Sequence, residues 1–125
     1  MNTFLSVVPS ESKMALPRFR TKEGERVVDL RRIVYLSAKS NYTQFYMEDG
    51  EQVITSHSLN IYVELLEQYG FIRIHKSYLV NEYHLKSCRL RPDRALKLPN
   101  GSVIEVARRR YLELKKKVKS QRLTS

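Results

Sequence analysis

The stretch Phe71 to Asn81, FIRIHKSYLVN, restricts the fold more than any other part of this sequence. Phe71, Ile72 and Ile74 are β-formers with Arg73 interleaved, the pattern of a strand whose two faces meet different surroundings. His75, Lys76 and Ser77 then break the apolar alternation, and Tyr78, Leu79 and Val80 follow as a short apolar plug. Asn81 is suited to end that plug, because its side chain readily bonds nearby backbone. A short cationic loop is thereby held between two buried anchors, and loops on rigid scaffolds often carry function.

Two dipeptides set the surroundings of that stretch. Asp49-Gly50 and Asn100-Gly101 each sit between strand-like runs, and a type I′ turn needs positive φ at both central residues, so both mark tight hairpins. The first joins a strand over residues 42–48 to one over 51–55; the second joins 94–98 to 102–106. An opening hairpin pairs 16–20 with 25–30, IVYL at Ile33 to Leu36 reads as a central strand, and Ser37 to Asn41 reads as a polar loop. A further strand over 85–91 ends at Pro92-Asp93.

Ser58 to Gly70 spells a helix, with Ser58 at the N-cap, Leu59, Tyr62, Leu66 and Tyr69 at helical spacing, and Gly70 at the left-handed position beyond its end. Glu64 and Glu67 face water, and their charge would repel phosphate. A second helix runs from Ala107 to about Lys119, with Ala107, Tyr111, Leu114 and Val118 on its apolar face. The fold class that follows is mostly β, in short antiparallel sheets with one central helix and a C-terminal helix. Residues 1–15 read as a flexible N-terminal arm, 16–119 as the domain, and 120–125 as a flexible tail.

Charge distribution narrows the function. The formal net charge is +10, but residues 27–70 carry three Lys/Arg against six Asp/Glu, while residues 71–125 carry fifteen against four. A basic half joined to a mildly acidic one predicts a surface that faces a polyanion, with nucleic acid ahead of an anionic membrane. A Lys-rich helix that is merely solvated is the plainer account of part of this excess. No run approaches the ~18 apolar residues that a membrane span requires, and the N-terminus lacks the basic region of a secretory signal, so a cytoplasmic protein without a membrane partner is expected. The single cysteine, Cys88, excludes an intramolecular disulfide and a multi-cysteine zinc site. His57, His75, His84 and Cys88 match no metal-ligand spacing, and no acid/base or nucleophile constellation can be assembled. The sequence therefore predicts no enzyme, no metal and no cofactor. Helix-turn-helix, zinc-finger and P-loop patterns are also absent, so recognition of nucleic acid would fall to loops or sheet edges.

Three segments, IVYLSAKSNYTQFYMEDG, SLNIYVELLEQYGFIRIHKSYLVN and LPNGSVIEVARRRYLELKK, resemble the LytTR-type DNA-binding domain of bacterial response regulators, the output modules of two-component systems. The likeness covers roughly Leu16 to Lys117, and FIRIHKSYLVN is its most specific piece. The resemblance implies a domain that inserts loop side chains into successive major grooves and the minor groove between them, usually at paired imperfect direct repeats. Three places carry the resemblance: Asn41 or Tyr42 in the loop after the IVYL strand, Lys76 in the turn after the Phe71 strand, and Arg108 at the start of the terminal helix. Ala107 stands where many members of that family have Ser.

The chemistry of the residues bears on each place separately. Arg108 offers two parallel donors that match guanine O6 and N7, and Asn41 can bond adenine bidentately or merely stabilise a turn. Arg109 suits a phosphate, as do Lys39 and Ser40, and Lys76 suits a phosphate or a base edge. Arg73 points away from the Ile72 and Ile74 side, toward DNA or toward a salt bridge with Glu82. His75 abuts the apolar anchor and is either a structural histidine or a contact, with Ser77 beside it. Lys86, Arg89 and Arg91 recur near period two as a possible second stripe, although basic sheet edges also deter aggregation. The sequence thus predicts a sequence-specific double-stranded DNA-binding transcriptional regulator, with a homodimer possible on DNA. It would be a stand-alone protein or the effector part of a longer product. The alternatives are a non-specific nucleic-acid binder, including of RNA, and a basic protein-interaction module.

Overall fold

The computed structural model describes residues 5–8, 16–21 and 23–124 of the chain. Its strands are β1 (Leu5–Val8), β2 (Leu16–Thr21), β3 (Gly24–Val27), β4 (Ile33–Lys39), β5 (Tyr42–Met47), β6 (Gln52–Thr55), β7 (Phe71–His75), β8 (Tyr78–Asn81), β9 (Arg89–Arg91), β10 (Ala95–Lys97) and β11 (Val103–Glu105). The helices are α1 (Leu59–Leu66) and α2 (Arg108–Thr124). All pairings are antiparallel. The larger sheet runs in the order β1-β2-β6-β5-β4-β8-β7 with β3 also on β2, and the smaller sheet runs β11-β10-β9. The fold is therefore mostly β with a central and a C-terminal helix.

The larger sheet separates two apolar cores. On one face Phe19, Leu36, Phe45, Val53, Phe71 and Leu79 pack against Leu59, Tyr62 and Leu66 of α1. On the other, Val34, Tyr35, Ile74 and Val80 meet Leu96 and Ile104 of the small sheet and Leu114 and Val118 of α2. Strand β4 serves both, which is why IVYL is apolar without interruption. The register shifts between Ile33 and Tyr35, so Val34 and Tyr35 both face the second core while Ile33 and Leu36 face the first. A bulge is the backbone device for such a two-against-one arrangement. Tyr35 stacks flat on its cross-strand neighbour Tyr46, with ring centroids 4.2 Å apart.

Turn chemistry explains where the strands reverse. Gly50 and Gly101 have φ of 91° and 90°, values that a side chain with Cβ resists, and they close the β5–β6 and β10–β11 hairpins. The turns are not type I′: neither Asp49 nor Asn100 has positive φ, and the Gly50 and Gly101 N–H groups donate to the Met47 and Leu98 carbonyls at 3.0 and 2.9 Å, so Glu48-Asp49 and Pro99-Asn100 are the central residues and each glycine takes the left-handed position after them. The FIRIHKSYLVN stretch is itself a hairpin: the apolar plug is strand β8, paired with β7, and the loop reduces to Lys76 and Ser77. Ile72 and Ile74 share the face of the second core by ordinary strand alternation, and a second register shift falls between Arg73 and His75.

Several expectations are corrected. Ser37 to Lys39 belong to β4, because β5 supplies partners for all three and β8 a second one for Ser37, and only Ser40 and Asn41 remain as turn. Of the strand expected over 85–91, only Arg89–Arg91 forms; residues 85–87 belong to a 3₁₀ helix over 82–87, which the Asn81 side chain caps by accepting the Tyr83 N–H at 3.1 Å. Ser58 has the extended backbone of an N-cap but makes no side-chain cap bond. The helix that starts at Leu59 tightens to 3₁₀ at Glu67, which leaves Tyr69 exposed while Leu59, Tyr62 and Leu66 are buried. Helix α2 continues to Thr124, through most of the expected tail. Of the expected N-terminal arm, residues 1–4 and 9–15 lie outside the described residues, whereas Leu5–Val8 pairs with β2. No helix among the described residues is long and apolar enough to cross a membrane.

Candidate nucleic-acid interface

Register places several connections at one end of the larger sheet. Strand β4 runs antiparallel to β8 with Ser37 opposite Tyr78, and the Ala38 N–H donates to the Ser77 carbonyl at 2.9 Å. The Ser40-Asn41 turn and the Lys76-Ser77 turn therefore lie side by side. Lys39, Ser40 and Asn41 are exposed, and Tyr42, opposite Lys39, is half-buried. Ser40 has φ 59°, in the left-handed region, which tightens the turn and lifts Asn41 out of the sheet.

Helix α2 starts at the same end. The Ala107 N–H donates to the Ile74 carbonyl at 2.8 Å, fixing the first turn of the helix to the end of β7. Ala107 has no side-chain oxygen with which to cap that turn. Between the helix start and the β7–β8 turn lies a cleft of about 230 Å³ lined by Arg73, His75, Lys76, Ala107, Arg109 and Arg110. Four cationic side chains thus converge on one depression, together with a histidine.

Two of the lining residues also build the turn. The Arg73 guanidinium donates from Nε to the His75 carbonyl at 3.1 Å, from Nη2 to the Lys76 carbonyl at 2.5 Å, and from Nη1 to Asn60 Oδ1 at 2.9 Å. It clamps the turn and ties it to α1, on the side opposite Ile72 and Ile74. The expected partner Glu82 instead lies 3.6 Å from Lys117, and the Arg73 guanidinium is held by the His75 and Lys76 carbonyls and Asn60 rather than by Glu82. His75 Nδ1 accepts the Ser77 N–H at 3.0 Å, which assigns its proton to Nε2, and Nε2 lies 3.6 Å from Glu105. The ring leans on Tyr78 with centroids 5.4 Å apart.

The opposite end of the sheet is electrostatically quiet. Arg26 grips Glu51 with two bonds of 2.6 and 2.7 Å, and Arg32 reaches Asp49 at 2.6 Å. Arg26 holds the Glu51 carboxyl below the usual carboxylate range; the Glu51 N–H, followed by Arg32, does the same for Asp49. Most acids of residues 27–70 are thereby either neutralised at that end or, like Glu64 and Glu67, carried on α1 and the 3₁₀ turn that follows it. The cationic side chains gather at the other.

The structure brings Arg73, His75, Lys76 and Arg109 to one cleft, with Ser77 in its rim turn and the Lys39 to Tyr42 turn alongside. It leaves Arg108 exposed at the helix start but outside the lining. Arg110 was missed: in a run of three arginines only the helical phase, fixed by the Ala107 to Ile74 bond, tells which ones turn toward β7. Among the described residues no three His, Cys, Asp or Glu side chains gather where they could hold a metal ion. Burial pushes the Cys88 thiol up to about 11, and its Sγ donates to the His84 carbonyl at 3.3 Å.

Comparison with known proteins places this geometry in a family. A search of curated proteins finds no match. Among solved structures, the fold is similar to the LytTr DNA-binding domain of a putative methyl-accepting/DNA response regulator from Bacillus cereus. That likeness has a TM-score of 0.59 at 23% identity, over 94% of this chain and 97% of that one. Residues 24–119 match the LytTr DNA-binding domain family, and the chain belongs to it.

Proposed function

We propose that the domain is a sequence-specific double-stranded DNA-binding transcriptional regulator, the output part of a response regulator acting in the cytoplasm. It would read paired imperfect direct repeats with one copy per repeat. The observation that carries this reading is the convergence of Arg73, Lys76, Arg109 and Arg110 on one cleft, beside an exposed turn that offers Asn41. A phosphate backbone supplies the matching charge, and side chains on rigid turns supply the readout.

In this reading Asn41 and Tyr42 meet base edges from the β4–β5 turn, and Lys39 and Ser40 hold phosphates beside them. Arg108, projecting outside the cleft, reads a guanine, while Arg109 and Arg110 grip the backbone. Lys76 and Ser77 reach the duplex between those two contacts. Arg73 and His75 act chiefly by fixing the turn; Arg73 still has an unused N–H on each terminal nitrogen to offer a phosphate.

The test is binding of the chain to duplexes enriched from random DNA, against scrambled duplexes of equal composition, at two salt concentrations. A preference of about a thousandfold that survives the higher salt supports specific readout. Comparable, salt-sensitive binding to both refutes it and leaves a non-specific nucleic-acid binder. Arg108→Ala should lose roughly 1 to 3 kcal/mol at one base position. Lys76→Ala should weaken binding across all sequences and make the salt slope shallower by about 1.

A further inference from the structure

We infer that the outer face of the three-stranded sheet is a second DNA contact, engaging phosphates that flank the stretch held by the turns. This rests on the DNA reading above. Cross-strand register places Arg89, Lys97 and Val103 in one row and Arg91, Ala95 and Glu105 in the next. The alternate residues Leu90, Leu96 and Ile104 point inward and pack with the second core, so the two rows share the opposite, solvent face. Arg89, Lys97 and Val103 are all exposed.

The charges of this face are unbalanced. Asp93 is engaged by Arg91 at 2.9 Å. Arg89 and Lys97 make no ion pair among the described residues, although they stand directly opposite each other at a strand spacing of ~4.8 Å. Like charges so placed destabilise a sheet, and an anion laid across them removes the repulsion. Arg94, exposed at the β9–β10 turn with φ 61°, adds a third cation at the edge.

The face is continuous with the cleft. Glu105, in its second row, lies 3.6 Å from His75, and β11 leads through Val106 and Ala107 directly into α2. A duplex seated on the turns and the helix start, and continuing past them, would meet Arg89 and Lys97. Duplex DNA carries one negative charge per ~1.7 Å of axis, dense enough to neutralise both. A contact made to phosphates adds affinity and salt dependence without adding specificity.

The experiment uses the full chain and two duplexes: the selected site at its minimal length, and the same site extended by a helical turn at each end. The parent should bind the extended duplex more tightly. Arg89→Gln with Lys97→Gln should match the parent on the minimal duplex and lose that gain. Its slope of log affinity against log salt on the extended duplex should be shallower by about 1.8, at ~0.9 per phosphate. Val103→Lys, which adds a cation to the same row, should strengthen binding to the extended duplex alone. This gain does not depend on a variant failing. If the parent prefers the selected site but neither change alters binding to the extended duplex, the inference falls, the basic face is a solvated sheet edge, and the DNA reading stands. If the parent shows no preference for the selected site over a scrambled one, both fall.

Discussion

Replacing Asn81 should cost this fold far more than an exposed polar residue would. The side chain is 3% exposed and makes three bonds: Nδ2 donates to the Leu30 carbonyl at 3.1 Å and the Ile33 carbonyl at 2.9 Å, and Oδ1 accepts the Tyr83 N–H at 3.1 Å. It thus joins the end of β8, the entry to β4 and the 3₁₀ turn after it. Asn81→Ala removes all three bonds, each worth ~1 kcal/mol net, and takes a partner from the Ile33 carbonyl and the Tyr83 N–H in a site from which water is largely excluded, while the Leu30 carbonyl keeps the Ile33 N–H. Some of that desolvation is recovered if a water enters the vacated space, so the expected loss is about 3 kcal/mol. Against a total stability on the order of 5–15 kcal/mol this is a large fraction, equivalent to a drop of roughly 10 °C in Tm. Urea unfolding followed by circular dichroism measures it, with the midpoint falling at constant slope. Asn81→Asp should be worse, because a carboxylate would face two carbonyl oxygens. Asn81 sits at the sheet end remote from the cleft, so the folded fraction of either variant should bind DNA as the parent does. A loss below ~0.5 kcal/mol, the range of surface substitutions, would refute the buried-network account.

Further outcomes follow from other parts of the structure. Arg73→Ala should loosen the Lys76-Ser77 turn and weaken DNA binding more than it lowers Tm, whereas Arg73→Lys should not rescue, because one ammonium cannot hold three acceptors in that fork; anisotropy titration beside thermal melting checks both. Cys88, buried with its thiol raised to about 11, should react with a thiol probe at pH 8 on the order of a hundredfold more slowly than in the unfolded chain, since only the thiolate attacks; labelling should accelerate as pH climbs toward 11 or on adding denaturant. Gly50→Ala should cost about 1 to 2 kcal/mol through its φ of 91°, although a Cβ there would meet no other atom, and chemical denaturation reads the change directly.

What the sequence made legible is what local chemistry decides. Asp49-Gly50 and Asn100-Gly101 announce their hairpins because the glycine of each pair alone supplies the positive φ that ends the turn. Leu114 and Val118 announce the buried face of α2 by spacing. The misreadings differ in origin. Ser37 and Ala38 look like loop until β5, with β8 beside Ser37, provides backbone for them, whereas residues 85–87 look like strand although a local contact, the Asn81 side chain on the Tyr83 N–H, caps a 3₁₀ turn that runs through them. The candidate site divides the same way. Lys76 is visible as a cation between two apolar anchors, but the engagement of Arg73 with Asn60 and the turning of Arg110 into the cleft depend on how α1 and α2 dock.

Strand β4 is a wall common to both apolar cores, and this bears on how the domain opens. A layered protein with separate walls can shed one layer and keep the other. Here, peeling α1 from one face or α2 from the other exposes β4 side chains in either case, so neither core can come apart without stripping the strand on which the other is built. The amide protons of residues 35–37, flanked by β5 and β8, should accordingly exchange with solvent only when the whole molecule unfolds. The Lys76-Ser77 turn is braced to the same body by the Arg73 guanidinium, the His75 ring and the Ala38 N–H. Under the proposed function a duplex would then be met by fixed turns mounted on a body that moves as one cooperative unit.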